Sequence, residues 1–555
     1  MAGPAAADGL FSGAATSAAA APAAAGFAAR RSRDVVLDPA YLASRIAPLG
    51  TDQAADRLAL APPAAPVRIE LFPGIVADLQ RTAISEATGG GFVWAGADTE
   101  GRPAEADLVV RGGAVSGIVT VGSRRYRIDP LPAAGLHRIT EVDQSAFPVD
   151  VQVPVKPTKA APAPQPDEAA RAAVTEITVL IAYTNRARGA VADIVAQSNL
   201  AISRANSAFA RSNVQIRFRL VGTRLVVGYD EQSQPSYDSV LRDLTNGTTS
   251  GPFRHVHADR DAKSADLVAL LIERPEYCGM AWLVEEPAAI EARYGMSVTT
   301  VGCVTNETFA HETGHNMGLR HDRYVEPAAP ATKYNYGFAS VPGQFRTIMA
   351  YANRCNDANI RCARLNNFSN PDVAYEGRPT GIPEGTAGAS DAARRLDETR
   401  FAIAAYRTPT LPPPPHDTFA TAKTVSVTPG TARAFRFTNA GATRETGEPF
   451  EAAGATLWYR FRTGAAGVWV IDTNQSTFDT TLGLYRGNNV ATLATVAVDD
   501  DGGNGTQSRL RFVATANTLY YLQIGGKNGA TGNVRLRFVA PAAPAAAPAT
   551  TVAAR

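Results

Sequence analysis

Between residues 34 and 150, apolar and polar positions alternate in short runs separated by glycine-rich turns. Val67–Pro73, Leu108–Arg111 and Ser123–Ile128 read as strands, with turns at Gly89–Gly91 and Gly112–Gly113. From Val151 to about Ala173 the pattern gives way to Pro, Ala and Lys, the texture of an extended, exposed linker. Ile177–Tyr183 then has the apolar continuity of a buried strand. Ala190–Ser212 places Val191, Ile194, Val195, Leu200, Ile202, Ala205 and Phe209 at helical spacing, which predicts a long amphipathic helix. Val214–Leu220 alternates strictly and predicts a strand. Helices are expected at Tyr237–Leu244 and Arg254–Asp261, a buried strand at Ala265–Ile272 and another strand at Met296–Val304. A last helix, Ala389–Tyr406, precedes the stiff spacer Pro409–Pro415. Beyond it, 417–540 shows short strands rich in Thr, Val, Phe and Tyr, the pattern of an all-β sandwich.

Composition narrows this picture. The 555 residues call for several domains. With 45% hydrophobic and 19% charged residues, and no apolar run of the ~18 residues a membrane span needs outside the Ala-rich N-terminus, soluble globular domains are expected. A net charge of +2 gives no reason to expect nucleic acid as a partner. Four cysteines, Cys278, Cys303, Cys355 and Cys362, cluster in one region. They form either two disulfides, with Cys278–Cys303 and Cys355–Cys362 joining sequence neighbours, or four buried thiols; disulfides imply an oxidising, extracellular compartment. Residues 1–33 are an Ala-rich leader or a weak signal segment, because the arginines follow the apolar run instead of preceding it.

The chemistry concentrates in Ala310–Asp322, which holds three of the seven histidines. His311 and His315, four apart on a helix, can turn two imidazoles toward one ion. Gly318 can take a positive φ, ending the helix so that His321 arrives as a third ligand. Three protein ligands leave one position open, which marks a catalytic zinc site, and Glu312 is placed to act as general base. A weaker candidate is the pair His255 and His257 with Asp259 or Asp261, either a second metal site or an exposed helix and loop.

The stretch H-E-x-x-H-x-x-G-x-x-H, followed downstream by Thr347-Ile348-Met349-Ala350-Tyr351, resembles the metzincin zinc endopeptidases, and Asp322 after the third histidine is similar to their bacterial reprolysin (adamalysin)-like branch. The resemblance implies an α/β metzincin catalytic domain (a mixed twisted sheet plus helices), preceded by a β-rich pro-domain and followed by an all-β sandwich. It also implies a hydrophobic Met-turn at Met349 under the ligands, an edge strand that pairs with extended substrate, and a latent precursor. Tyr351 either adds a hydrogen bond to the oxyanion, as in astacins, or packs as a structural tyrosine. The pro-region has no cysteine, so a carboxylate is the alternative source of latency, and Asp143 is one candidate. The expected organisation is leader 1–33, pro-domain 34–150, linker 151–173, catalytic domain 174–408, linker 409–416, sandwich 417–540 and tail 541–555.

Glu448-Pro449, Leu457–Phe461, Ser476–Leu482 and Val498–Asp501 resemble the pre-peptidase C-terminal domain of secreted bacterial proteases. There, Asp499, Asp500 and Asp501 with Asp479 form either a calcium site or a solvated acidic turn. The expected function is secreted, zinc-dependent endopeptidase of extracellular proteins, a monomer with an extracellular ligand for its C-terminal domain. Two alternatives stand beside it: a secreted binding protein with an inactive protease-like domain, and a zinc hydrolase of cell-wall peptides.

Overall fold

The computed structural model describes residues 9–12, 29–45, 66–98, 103–155, 173–248, 250–327, 333–407, 413–450, 453–464, 466–527 and 529–542. Most of the leader, most of the linker at 151–173, part of the Pro-rich spacer and nearly all of the tail therefore lie outside the described residues. The chain divides into two compact units, split after Thr408.

The first unit holds two large sheets. One is a nine-stranded antiparallel sheet running from Phe11–Ser12 to Leu136–Val142. Its alternating strands bury Trp94, Leu108, Tyr126 and Ile128 on one face. Part of the segment expected as a leader belongs to it. Phe11–Ser12 pairs with Val36 and Leu37, Leu10 and Phe11 are buried, and the strand Ala29–Leu37 lies against Leu136–Val142. The boundary at residue 33 is corrected accordingly, because these apolar side chains complete the core of the sheet.

The second sheet is mixed and six-stranded. Its strands are β1 (Asp150–Pro154), β2 (Thr175–Tyr183), β3 (Ile216–Leu225), β4 (Leu267–Ile272), β5 (Gly279–Leu283) and β6 (Met296–Thr300), in the order β1-β5-β6-β4-β2-β3. Only the β5–β6 pair is antiparallel. Strand β6 is shorter than the predicted Met296–Val304. After Thr300 the chain winds into a 3₁₀ turn, Val301–Asn306, where Cys303 is tied back to Cys278. Strand β1 corrects the expectation of an exposed linker from residue 151, since Val151–Pro154 pairs in register with Met280–Leu283.

Helix α1 (Ile194–Arg211) begins at Asp193, whose carboxylate accepts from the Val195 and Ala196 amides. One side of the helix packs on the mixed sheet and the other on the antiparallel one. The contact with the antiparallel sheet is ionic at its centre. Arg204, almost fully buried, pairs with Glu105 and Asp107 of that sheet and with Glu307. From the other direction Arg125 reaches Glu307 at 3.0 Å and donates to the main-chain oxygens of Thr305 and Arg364. Helix α2 (Thr308–Asn316) carries the histidine motif and lies under β5 and β6. The Asn316 amide donates to the Trp282 and Met296 carbonyls and fixes its end. Both expected disulfides are formed, Cys278–Cys303 and Cys355–Cys362.

The second unit consists of a five-stranded and a four-stranded sheet that bury Leu457, Tyr459, Phe461, Trp469, Leu482 and Phe538 in one core. Glu448 is buried there, accepting from Thr456, the Trp458 indole at 3.0 Å and Gln523 at 2.8 Å.

Candidate metal centre

Helix α2 ends as the sequence predicts. Gly318 has φ +97°, a conformation that L-residues avoid, and the chain turns there into the short strand Arg320–Asp322. The turn brings His321 against the two helical histidines. His315 Nε2 lies 3.0 Å from His311 Nε2 and 3.2 Å from His321 Nε2. Nitrogens around one tetrahedral zinc at ~2.0–2.1 Å would stand only slightly farther apart, about 3.4 Å.

The opposite ring nitrogens are committed elsewhere. His311 Nδ1 lies 2.9 Å from the Ile348 carbonyl, His315 Nδ1 donates to the Leu319 carbonyl at 2.8 Å, and His321 Nδ1 lies 3.1 Å from Glu326 Oε1. Leu319 and Glu326 favour the proton on Nδ1 of His315 and His321, His311 Nδ1 sits between the Ile348 carbonyl and the Arg364 guanidinium, and all three Nε2 atoms face one point. Burial first, and then the neighbouring imidazole, hold His311 and His315 well below the ordinary histidine range. They are neutral, as metal ligation requires.

Glu312 is completely buried and neither carboxylate oxygen has a protein partner. Burial, with the Asp150 charge adding to it, pushes its carboxyl well above the usual range. An orphaned carboxylate beside three converging nitrogens fits a centre that brings its own cation and water. The donor set, three imidazoles with an open side, suits zinc.

Met349 is fully buried, and its sulfur lies where a Cβ on Gly314 would stand only 2.9 Å away, so the thioether packs directly beneath the helix. Asp322 joins the third histidine to this turn, accepting from the Tyr351 amide at 2.8 Å and the Tyr324 amide at 3.0 Å. The Tyr351 ring lies 4.3 Å from that of His321, centroid to centroid. Its hydroxyl donates to the main-chain carbonyl of Asp150.

Asp150 is a residue that sequence reading missed. Strand β1 lies along β5, with Asp150 opposite Gly279, and the Val149 carbonyl accepts from the Cys278 amide at 3.0 Å. The Asp150 carboxylate is buried, 2.9 Å from Arg364 Nη2 and 3.1 Å from the Thr308 hydroxyl. With His311 and Glu312 it forms a second group of potential ligand atoms. A signal was present in the strict alternation of Val149, Val151, Val153 and Val155 around it. Arg364 carried no local signal. Asp143, the earlier candidate, is instead a partly exposed turn residue that accepts from Ser145 and pairs with Arg30. Asp150, not Asp143, is the pro-region carboxylate that lies beside His311 and Glu312.

Two other candidates resolve differently. His257 Nε2 donates to the Leu244 carbonyl, 2.7 Å away, while Asp259 pairs with Arg224 and Asp261 with Arg407. The H-x-H pair does not converge on a common point with these acids. In the second unit Asp479, Asp500 and Asp501 do converge, but Lys527 Nζ stands among them, 2.7 Å from Asp500. Asp499 is turned away, accepting from the Gly502 and Arg509 amides.

Residues 171–376 match the metallo-peptidase family M12B, reprolysin-like. A peptidyl-Asp metalloendopeptidase of Stenotrophomonas maltophilia strain R551-3 is 30% identical over 353 residues, covering 59% of this chain and 80% of the relative. Its counterpart in strain K279a is 28% identical over 353 residues, with the same coverage. One from Xanthomonas campestris pv. campestris is 29% identical over 345 residues, covering 58% of this chain and 76% of the relative. With three imidazoles around an open point and relatives of this kind over most of their length, the chain belongs to the reprolysin-like M12B metallopeptidases and is a zinc metalloendopeptidase.

Proposed function

We propose that this protein is a secreted endopeptidase that cuts polypeptides at aspartyl residues, with zinc held by His311, His315 and His321 and with Glu312 as general base. The observation that carries the reading is an extended segment already lying in the cleft. Asp150–Pro154 is hydrogen-bonded along β5, its Asp150 carbonyl faces the Tyr351 hydroxyl, and its aspartate side chain reaches a buried arginine. A cleft that seats one extended peptide this way can seat another by the same main-chain pairing. The aspartyl preference comes from the relatives' names and is supported by that arginine.

Zinc, when bound, supplies Lewis acidity and brings the pKa of water down toward ~7. The three imidazoles hold it, their orientation set by Ile348, Leu319 and Glu326 behind them. Glu312, poised high by burial, takes the proton of the attacking water and returns it to the leaving amine. Tyr351 donates a hydrogen bond to the carbonyl oxygen on which charge develops. Met349 floors the site and does no chemistry. The two disulfides support an oxidising, extracellular location.

We read the antiparallel sheet before Asp150 as a pro-domain that keeps β5 covered, supported by the buried Arg204 cluster that fastens it to α1. The two-sheet second unit reads as an accessory module of pre-peptidase C-terminal type. Its acidic cluster already holds the Lys527 ammonium, which argues for a solvated ionic turn over calcium.

The test is to expose an unfolded protein to the purified chain, with and without a chelator, and sequence the new termini. Aspartate on one side of most cut bonds is expected, with no cuts under chelation. Cuts without aspartyl bias would contradict the substrate reading; cuts that survive chelation would contradict the metal centre.

A further inference from the structure

Arg364 lies just past the Cys355–Cys362 disulfide and its side chain is 1% exposed. Apart from Asp150 on the edge strand β1, its polar contacts are neutral. Nε and Nη2 donate to the Ile348 carbonyl and Nη1 to the Asn306 carbonyl, while Nη2 also lies 2.6 Å from His311 Nδ1. Among the described residues its carboxylate partner is Asp150, from the segment N-terminal to the catalytic strands. Carbonyls satisfy the hydrogen bonds of a buried guanidinium but leave its charge uncompensated, which is costly in a site closed to water. Arg346, also buried beside it, adds to the positive field. The site is thus complete only when an incoming segment brings an anion.

The reach of that anion is defined. Its main chain must pair with β5, its carbonyl must meet Tyr351, and its carboxylate must span from Arg364 to the Thr308 hydroxyl. Asp150 meets all three conditions. A glutamate at the same backbone position would carry its carboxylate one methylene deeper, into the main-chain carbonyls that hold Arg364. An asparagine would bring an amide that leaves the charge unanswered.

We propose that Arg364, with Thr308, is the pocket that reads the aspartyl side chain of the substrate, and that Asp150 occupies this pocket as a built-in competitor. The assignment rests on the aspartyl reading above and names the residue that enforces it. A tethered segment competes at high effective concentration, so the cleft stays filled until β1 is displaced.

The test compares two peptides identical except for Asp or Asn at one position, hydrolysed by the full chain and by full chains carrying Asp150→Ala alone or with Arg364→Lys or Arg364→Leu. Folding is followed by thermal unfolding. Asp150→Ala should raise the rate on the Asp peptide about tenfold or more by emptying the pocket. It should favour Asp over Asn by on the order of 10²-fold, as expected of a site built around a polar partner. Adding Arg364→Lys, which keeps the charge but loses the planar fork, should cut that ratio to about tenfold, and Arg364→Leu should bring it near one.

If the Asp150→Ala chain treats both peptides alike, the aspartyl reading itself fails. If it prefers Asp and the preference survives Arg364→Leu, only the assignment of Arg364 is overturned. Equal rates for the natural chain and Asp150→Ala would overturn the role of Asp150. Should Arg364→Leu fail to fold, the Arg364→Lys ratio decides: an undiminished preference overturns the assignment.

Discussion

Gly279 and Glu312 face each other across the cleft so closely that a Cβ on the glycine would collide with the Glu312 carboxylate. The glycine opens β5 at the point where it passes over α2, and the Glu312 side chain fits into the gap. Gly279→Ala should therefore push Glu312 off its position while leaving the histidines in place. The expected result is a fall in kcat of about 10²–10³-fold, within the range a general base contributes, with zinc content unchanged. Steady-state kinetics beside metal analysis checks it. A variant with full kcat would show that Glu312 does not depend on this contact.

Arg204 is the hub of a buried ionic cluster with Glu105, Asp107 and Glu307. Removing the cation leaves Asp107 buried without its ion-pair partner and weakens the hold on Glu105 and Glu307, which keep only Arg211 and Arg125. Arg204→Met should destabilise the first unit by about 3–5 kcal/mol, the range seen when one partner of a buried ion pair is removed. Urea unfolding of the full chain measures this. A loss below ~1 kcal/mol would mean that the acids find other partners or water.

Glu326 holds the Nδ1 side of His321 and also pairs with Arg320 at 2.7 Å. Burial alone would raise its carboxyl, but His321 and Arg320 hold it down to about 2. Glu326→Ala frees the third imidazole to rotate. Zinc affinity should fall about 10–100-fold, read by competition with a chelator of known affinity.

The Cys278–Cys303 bridge spans 25 residues and anchors the start of β5 to the turn before α2. A loop of that size corresponds to about 3.5 kcal/mol of chain entropy in the unfolded state. The double variant Cys278→Ser, Cys303→Ser should lose stability of that order, measured by denaturant unfolding, and should lose activity earlier in the titration than the fluorescence of the second unit changes.

The metal centre was legible in the sequence because its information is local. His311, Glu312, His315, Gly318 and His321 sit within one turn-and-a-half of helix and its exit, where spacing alone decides direction. Met349 and the two disulfides were also readable from near neighbours. The occupant of the cleft was not. Asp150 and Arg364 are 214 residues apart, and nothing in either neighbourhood announces the other. Pro154 and the lysine-rich stretch after it made Val151–Pro154 look like linker, although a proline is tolerated on an edge strand, which is where it lies. Gly279–Leu283 was missed as a strand because five residues between a disulfide cysteine and an acidic turn carry too little periodicity to read. The antiparallel sheet's claim on Leu10 and Phe11 was hidden for the same reason.

The most direct test of the catalytic account is zinc content and peptide hydrolysis of the Asp150→Ala chain beside the same chain carrying Glu312→Ala, each with and without a chelator. About one zinc per chain is expected in both, with hydrolysis only where Glu312 is present and none after chelation. Hydrolysis that persists in the Glu312→Ala chain, or a chain with Glu312 intact that binds zinc yet cuts no peptide, would contradict it.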